Sequence, residues 1–190
     1  MIKAIIFDCF GVVYSDNFVE NYRKFGGDYE VDKDFIEEII FEVSAGRLKS
    51  SSQLLADRLG IEKSVWRESN KAGRQFNYDL LEYTKKLRKK YKVSMLSNIS
   101  SSGLKNHMDY SVLQEHFDDI VESARIGFAK PEARAYEIAA ERLGVRLDEC
   151  LFIDDKESYV EGATHVGMKA VLYKDVISLK LEIENVLKIE

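Results

Sequence analysis

Residues 2–14 read IKAIIFDCFGVVY, and the fold is read outward from them. An unbroken apolar run, Ala4 to Phe7, ends in one acidic residue, Asp8, and is followed by Gly11 and a second apolar group. Apolar residues without polar alternation mark a strand covered on both faces, as in a parallel sheet. Asp8 then stands at the strand's C-terminal end, the edge of an open α/β sheet where ligands bind. Two places on comes Phe10, an apolar ring in the same loop.

The character changes after this strand. From Asn17 to about Gln75 the periodicity is helical: Phe35, Ile36, Ile39, Ile40 and Val43 recur at three-to-four spacing, as do Leu54, Leu55, Arg58 and Leu59. Ser50, Ser51 and Ser52 offer an N-cap and Gly60 a C-cap to the second of these helices. A helix is predicted over residues 79–90, then a strand over 93–97 that stops at Ser97-Asn98. A weaker strand over 120–123 precedes a loop, RIGFAKP at 125–131, and an amphipathic helix over 132–143. Pro131 is the single proline, and its place suggests the first helical position. A fourth strand over 150–153 ends in Asp154-Asp155, and a helix (157–166), a strand (169–173) and a closing helix (176–187) complete the chain. Strands alternating with helices predict a doubly wound, mainly parallel α/β sheet, with a core of residues 1–15 and 77–190 and a helical insert of 16–76.

Composition narrows the function. At 190 residues, 45% hydrophobic and 32% charged, the chain suits one core domain of about 130 residues with a smaller insert, and no internal repeat is present. A net charge of −5 opposes nucleic acid. The basic cluster Lys85, Lys86, Arg88, Lys89 and Lys90 sits on the last turns of a predicted helix, where it complements the dipole, and has no interleaved aromatic residues for base stacking. Cys9 and Cys150 make neither a disulfide framework nor a zinc site and read as small core residues. No charged region followed by a long apolar stretch begins the chain, so no membrane partner and a cytoplasmic location are expected. The oligomeric expectation is a monomer or a homodimer.

Polar features recur at the predicted strand ends: Asp8, Ser97-Asn98, Lys130 in the loop after the third strand, and Asp154-Asp155. Carboxylates facing one lysine and one hydroxyl suit a divalent cation and a phosphate. Taken singly, each has a plain explanation, Asp154-Asp155 as a helix N-cap and Lys130 as a solvated loop residue. His107, His116 and His165 are scattered and read as surface or helix-cap residues, with no triad implied.

The pieces FDCFGVV, MLSNIS, GFAKPEARAYE and LFIDDKESYVEGA, in that order, resemble the four motifs of the haloacid dehalogenase-like (HAD) hydrolases, and the helical insert resembles the small α-helical cap of that family's first cap class. The resemblance implies a Rossmann-like core and a Mg2+-dependent phosphatase acting on a small phosphorylated metabolite. It implies that Asp8 is the nucleophile, forming an aspartyl-phosphate, and a metal ligand. Ser97 would hold the phosphoryl group with Asn98 beside it, and Lys130 would pair with the phosphate and Asp8. Asp155 would ligate the metal directly with Asp154 behind it, joined by the main-chain carbonyl of Phe10. Family phosphatases usually carry an Asp at the Phe10 position to protonate the leaving alcohol, a contribution of roughly 100- to 10,000-fold that a phenyl ring does not supply.

Three readings therefore stand side by side: a phosphatase favouring easily expelled leaving groups, a metal-independent 2-haloacid dehalogenase, and a non-catalytic HAD-fold binding protein. Asp154-Asp155 weighs against the dehalogenase, whose motif here carries Ser/Asn. Substrate choice is assigned to the insert, with Tyr14, Asn17, Tyr22, Arg47 and Trp66 as candidates. Arg47, in a predicted Gly46-Arg47 turn between two helices, is expected to aim a cation at the site and bind substrate.

Overall fold

Every residue of strand β1 (Ala4–Phe7) is buried, as its apolar run requires. In this computed structural model, which describes residues 1–188, β1 is the middle of five strands. The others are β2 (Lys92–Ser97), β3 (Asp119–Glu122), β4 (Cys150–Asp154) and β5 (Lys169–Leu172), all parallel in the order β3-β2-β1-β4-β5. The chain builds outward from β1 to β3 and then returns to the other side of β1 for β4. That reversal places the topological switch point between β1 and β4. Phe7 pairs with Ile153 in register, so Asp8 emerges level with Asp154, and the Asp8 amide donates to the Ile153 carbonyl at 2.8 Å.

The insert supplies α1 (Phe18–Lys24), α2 (Tyr29–Ser44), α3 (Ser52–Leu59) and α4 (Lys63–Ser69). The core supplies α5 (Tyr78–Leu87), α6 (Tyr110–His116), α7 (Ser123–Ile126), α8 (Ala133–Leu143), α9 (Glu157–His165) and α10 (Val176–Lys188). Side-chain alternation along the strands divides the core in two. Ile5, Phe7, Met95 and Ile153 pack with Leu80 and Leu81 of α5 and Leu179 and Ile183 of α10. On the opposite face Ala4, Ile6, Leu96 and Phe152 meet Ala135, Tyr136 and Ala139 of α8 and Ala163 of α9. A fully buried side chain of such size contributes roughly 1.5–3 kcal/mol, far more than helix propensity, so this burial sets α8 against the sheet and its leading loop over the strand ends.

Four helices of the insert close on a small core of their own. Tyr22, Ile36, Leu55 and Trp66 are buried there, and the rings of Phe18 and Phe25 meet Trp66 edge-on at 5.5 and 6.4 Å. The Tyr22 hydroxyl donates to Asp32 at 2.7 Å, and Arg58 pairs with the same carboxylate. The two connections to the core run together: the Ser15 amide donates to the Gln75 carbonyl at 3.0 Å and the Asn77 amide to the Val13 carbonyl at 2.9 Å. Among the described residues no helix is long and apolar enough to cross a membrane.

Several local expectations change. The loop at 125–131 begins inside a short helix, α7, because the Ser123 hydroxyl accepts from the Ile99 amide at 2.9 Å and fastens that turn to the end of β2. Pro131 is not the first helical residue; it follows a cis peptide bond, and α8 starts at Ala133. The physical cause is that the Asn98 side chain holds both the amide and the carbonyl of Lys130, so that loop belongs to the strand end rather than to the helix. Helix α5 stops at Leu87, so Lys89 and Lys90 lie beyond it. Helix α6 has no counterpart among the predicted elements; its short amphipathic stretch folds because Leu113 has a core to enter. The N-cap position of α3 is Ser51 without a side-chain bond, while the Ser50 hydroxyl accepts from the Ser52 amide at 3.2 Å, and Gly60 caps the C-terminus as expected.

Candidate active site

At the switch point the strand ends bring the sequence motifs together. Lys130 is completely buried, with its ammonium 2.5 Å from Asp8 Oδ1 and 2.6 Å from Asp154 Oδ2. Its aliphatic stem runs among rings, with Nζ 5.4 Å from the centre of Phe152 and 5.0 Å from that of Tyr159. A fully desolvated ammonium survives only if paired, and here two carboxylates pair with it. Asn98 Oδ1 accepts from the Lys130 amide and Asn98 Nδ2 donates to the Lys130 carbonyl, each at 2.9 Å. Asn98 thus lines the cleft and also clamps the lysine's backbone.

Asp8, Asp154 and Asp155 can each present a ligand oxygen within 4.8 Å of the other two. Burial raises the Asp8 carboxyl above the ordinary carboxylate range, with Asp154 and Asp155 adding to the rise and Lys130 opposing it. Burial also raises Asp155, and the adjacent Asp154 reinforces it. For Lys130 burial pulls the other way, but Asp154 and Asp8 outweigh it and keep the ammonium protonated. Three carboxylates against one buried lysine leave an excess of negative charge, which an oxygen-seeking divalent cation would neutralise. The donor set, oxygen only and from few side chains, fits magnesium.

Gly11 fixes how close the first and fourth motifs approach. Its φ is +90°, and a Cβ there would stand 2.2 Å from Asp155 Oδ2. Only glycine allows that contact, which presses Asp155 against the loop carrying the Phe10 carbonyl. Ser97 is fully buried, and its hydroxyl has no hydrogen-bond partner among the described residues. The nearby Cys9 thiol, kept protonated by burial, is too weak a partner to satisfy it. An orphaned buried hydroxyl is costly, and at the strand ends it awaits an oxygen-rich ligand.

Above this floor opens a cleft of about 1280 Å3, walled on the far side by the insert. Phe10 turns its ring into the cleft, edge-on to Tyr14 at 6.1 Å and to His107 at 5.9 Å, with the Arg74 guanidinium 5.2 Å from its centre. Among the insert candidates, Asn17 and Trp66 line the cleft, whereas Tyr14 and Tyr22 serve packing. Arg47 does not line it. Gly46, at φ +74°, seats the turn against the Ala124 carbonyl, and Arg47 is held by Glu42 at 3.1 Å and Glu132 at 2.8 Å, so it ties the insert to the core. His107 is the correction in the other direction, since it belongs to the cleft rather than the surface. His116 and His165 stay in the last turns of α6 and α9, each with Nδ1 bonded to the carbonyl four residues back. Arg74, Lys156 and His107 were missed as cleft residues; Lys156, directly after the acidic pair, is the one whose position could have signalled it.

A second hollow, of about 1050 Å3, opens at the opposite edge beside Lys3 and Lys92, but its Arg88 and Arg142 are paired with Asp118 and Asp119. Among the described residues it holds no carboxylate cluster of the kind found beneath the large cleft.

Known proteins share this fold. A phosphatase of Mycobacterium tuberculosis is 41% identical over 86 residues, 45% of this chain and 40% of that one. The matches span less than half the length of these curated relatives. Among solved structures, a HAD-like family hydrolase from Porphyromonas gingivalis aligns over 98% of both chains with a TM-score of 0.75 at 24% identity. A HAD family enzyme of Bacteroides thetaiotaomicron, in complex with magnesium and inorganic phosphate, covers 92% of this chain and 95% of its own with a TM-score of 0.69 at 23% identity. Residues 2–167 match the haloacid dehalogenase-like hydrolases, from the strand of Asp8 through the helix after Asp155, and the chain belongs to that family.

Proposed function

We propose that this chain is a magnesium-dependent phosphomonoester hydrolase acting on a small phosphorylated metabolite. The observation that carries the reading is the buried Lys130 bridging Asp8 and Asp154 beside an orphaned Ser97 hydroxyl. Asp8 Oδ attacks phosphorus, the bond from phosphorus to the leaving oxygen breaks, and an aspartyl-phosphate forms; water then attacks phosphorus and releases phosphate and the carboxylate. Lys130 holds a phosphoryl oxygen and steadies Asp8, and the Ser97 hydroxyl donates to a second oxygen. Asp8, Asp155 and the Phe10 carbonyl would hold magnesium, with Asp154 orienting Lys130, and the ion would neutralise charge on the phosphoryl oxygens. Phe10 transfers no proton, so the leaving group takes its proton from water, and good leaving groups react best.

The carboxylate cluster argues against a metal-independent dehalogenase. Phosphate release from a panel of phosphorylated metabolites, with magnesium and with chelator, is expected to require magnesium and to fall roughly a thousandfold or more in Asp8→Asn. Metal-independent chloride release from 2-chloropropionate would overturn the assignment, and absence of turnover across the panel would favour the non-catalytic reading.

A further inference from the structure

The insert's face of the cleft is basic in a chain whose net charge is −5. Its lining cations are Arg23, Lys49, Lys63, Arg67, Lys71 and Arg74, against the acids Asp16, Glu20 and Glu37. Some of this charge is already matched: Arg23 pairs with Glu30, and Arg74 with Asp16 at 3.3 Å. Lys49, Lys63, Arg67 and Lys71 are different. Among the described residues none of these four side chains makes a hydrogen bond or ion pair, all four line the cleft, and Arg67 and Lys71 are the two nearest in the chain to Arg74.

Arg67, Lys71 and Arg74 line the same cleft as His107. The charges of Arg74, Lys71 and Arg67 all bear on His107, whose ring stands edge-on to Phe10. Arg74 is nearly immobile: its side chain is only 4% exposed, Nε donates to Asn17 at 2.7 Å and a terminal nitrogen donates to Asn70 at 3.0 Å. His107 Nδ1 is buried and has no partner among the described residues. A buried imidazole nitrogen without a protein partner, in the field of these cations, can donate to an anion in the tautomer that carries its proton on Nδ1.

His107 and Arg74 both meet the ring of Phe10, two residues after Asp8, and all of them line one cleft, into which a leaving group would extend once its phosphate reached the floor. Resting on the phosphatase reading, we infer that the substrate is a phosphomonoester whose leaving group carries a second anionic group, a carboxylate or another phosphate, bound by Arg67, Lys71 and Arg74 with His107. The floor cannot serve both anions, because Lys130 is held there between Asp8 and Asp154.

The test is equilibrium binding to the Asp8→Asn chain with magnesium, which removes turnover from the measurement. Phosphoglycerate is compared with glycerol phosphate, and fructose bisphosphate with fructose monophosphate, so that a carboxylate and a second phosphate are probed separately. In at least one pair the ligand with the extra anion is expected to bind roughly tenfold tighter, an advantage that shrinks at high salt. Arg67→Gln combined with Lys71→Gln is expected to abolish the difference within that pair. Equal binding within both pairs, no binding by any member, or an advantage that survives the double substitution would overturn the inference. Failure of the phosphatase reading would appear elsewhere, as absence of magnesium-dependent phosphate release by the unsubstituted chain.

Discussion

On the floor of the cleft Lys130 is completely buried between Asp8 and Asp154, whereas on the facing wall Arg67 and Lys71 stand without partners among the described residues. Both regions carry charge, but the physics differs. The floor charges are desolvated, so each depends on the others and none can be removed without exposing its neighbours. Arg67 and Lys71 are exposed, so either can be removed with little effect on the fold. Chemistry common to a family suits the first kind of site, and recognition particular to one substrate suits the second.

The largest test of that contrast is Lys130→Met. It leaves the Asp8 and Asp154 carboxylates buried without their cation, and urea unfolding should show a loss of about 3–5 kcal/mol. A loss below about 1 kcal/mol, the size expected of an exposed pair, would mean that the floor is no more interdependent than the wall.

Phe10→Asp probes the boundary between the two regions. If proton transfer to the leaving group is what the chain lacks, turnover of alkyl phosphates should rise by roughly 100-fold, with a smaller rise for p-nitrophenyl phosphate, whose leaving group needs less help. Arg74, 5.2 Å from the centre of the present ring, is poised to grip a carboxylate placed there. An unchanged rate for both substrates would refute the missing-acid explanation.

The smallest effect belongs to His107. Burial, then the charges of Arg74, Lys71 and Arg67, lower its pKa from 6.5 to about 4. Below pH 6.5 the unfolded chain therefore binds a proton that the folded chain refuses, and stability falls as the pH drops toward 4. Since the group is partly open to solvent, the loss is on the order of 1 kcal/mol. Thermal melts of His107→Gln across that range should show a flatter pH dependence; an unaltered slope would show that other groups set it.

Most of the floor was legible because Asp8, Ser97 and Asp154-Asp155 stand at strand ends, and strands are written locally as apolar runs. Lys130 was legible by its spacing, although the sequence placed Pro131 at the head of the helix and the structure gives that loop to Asn98. The wall was far less readable. Arg47 looked aimed at the site from its turn, yet Glu132, 85 positions away, takes it. His107 sits in an irregular stretch with no periodicity to place it, and nothing local says that Phe10 lies beside it.

By itself, the sequence determined the alternation of strands and helices, the helical insert and the identities of the residues at the strand ends. These depend on hydrophobic period and on neighbours a few places away. Tertiary structure alone decided the strand order, the burial of Lys130 between two carboxylates, the orphaned hydroxyl of Ser97 and the meeting of Arg74 and His107 at the ring of Phe10. Desolvation and pairing are properties of groups brought together from distant parts of the chain, and only the folded packing brings them together.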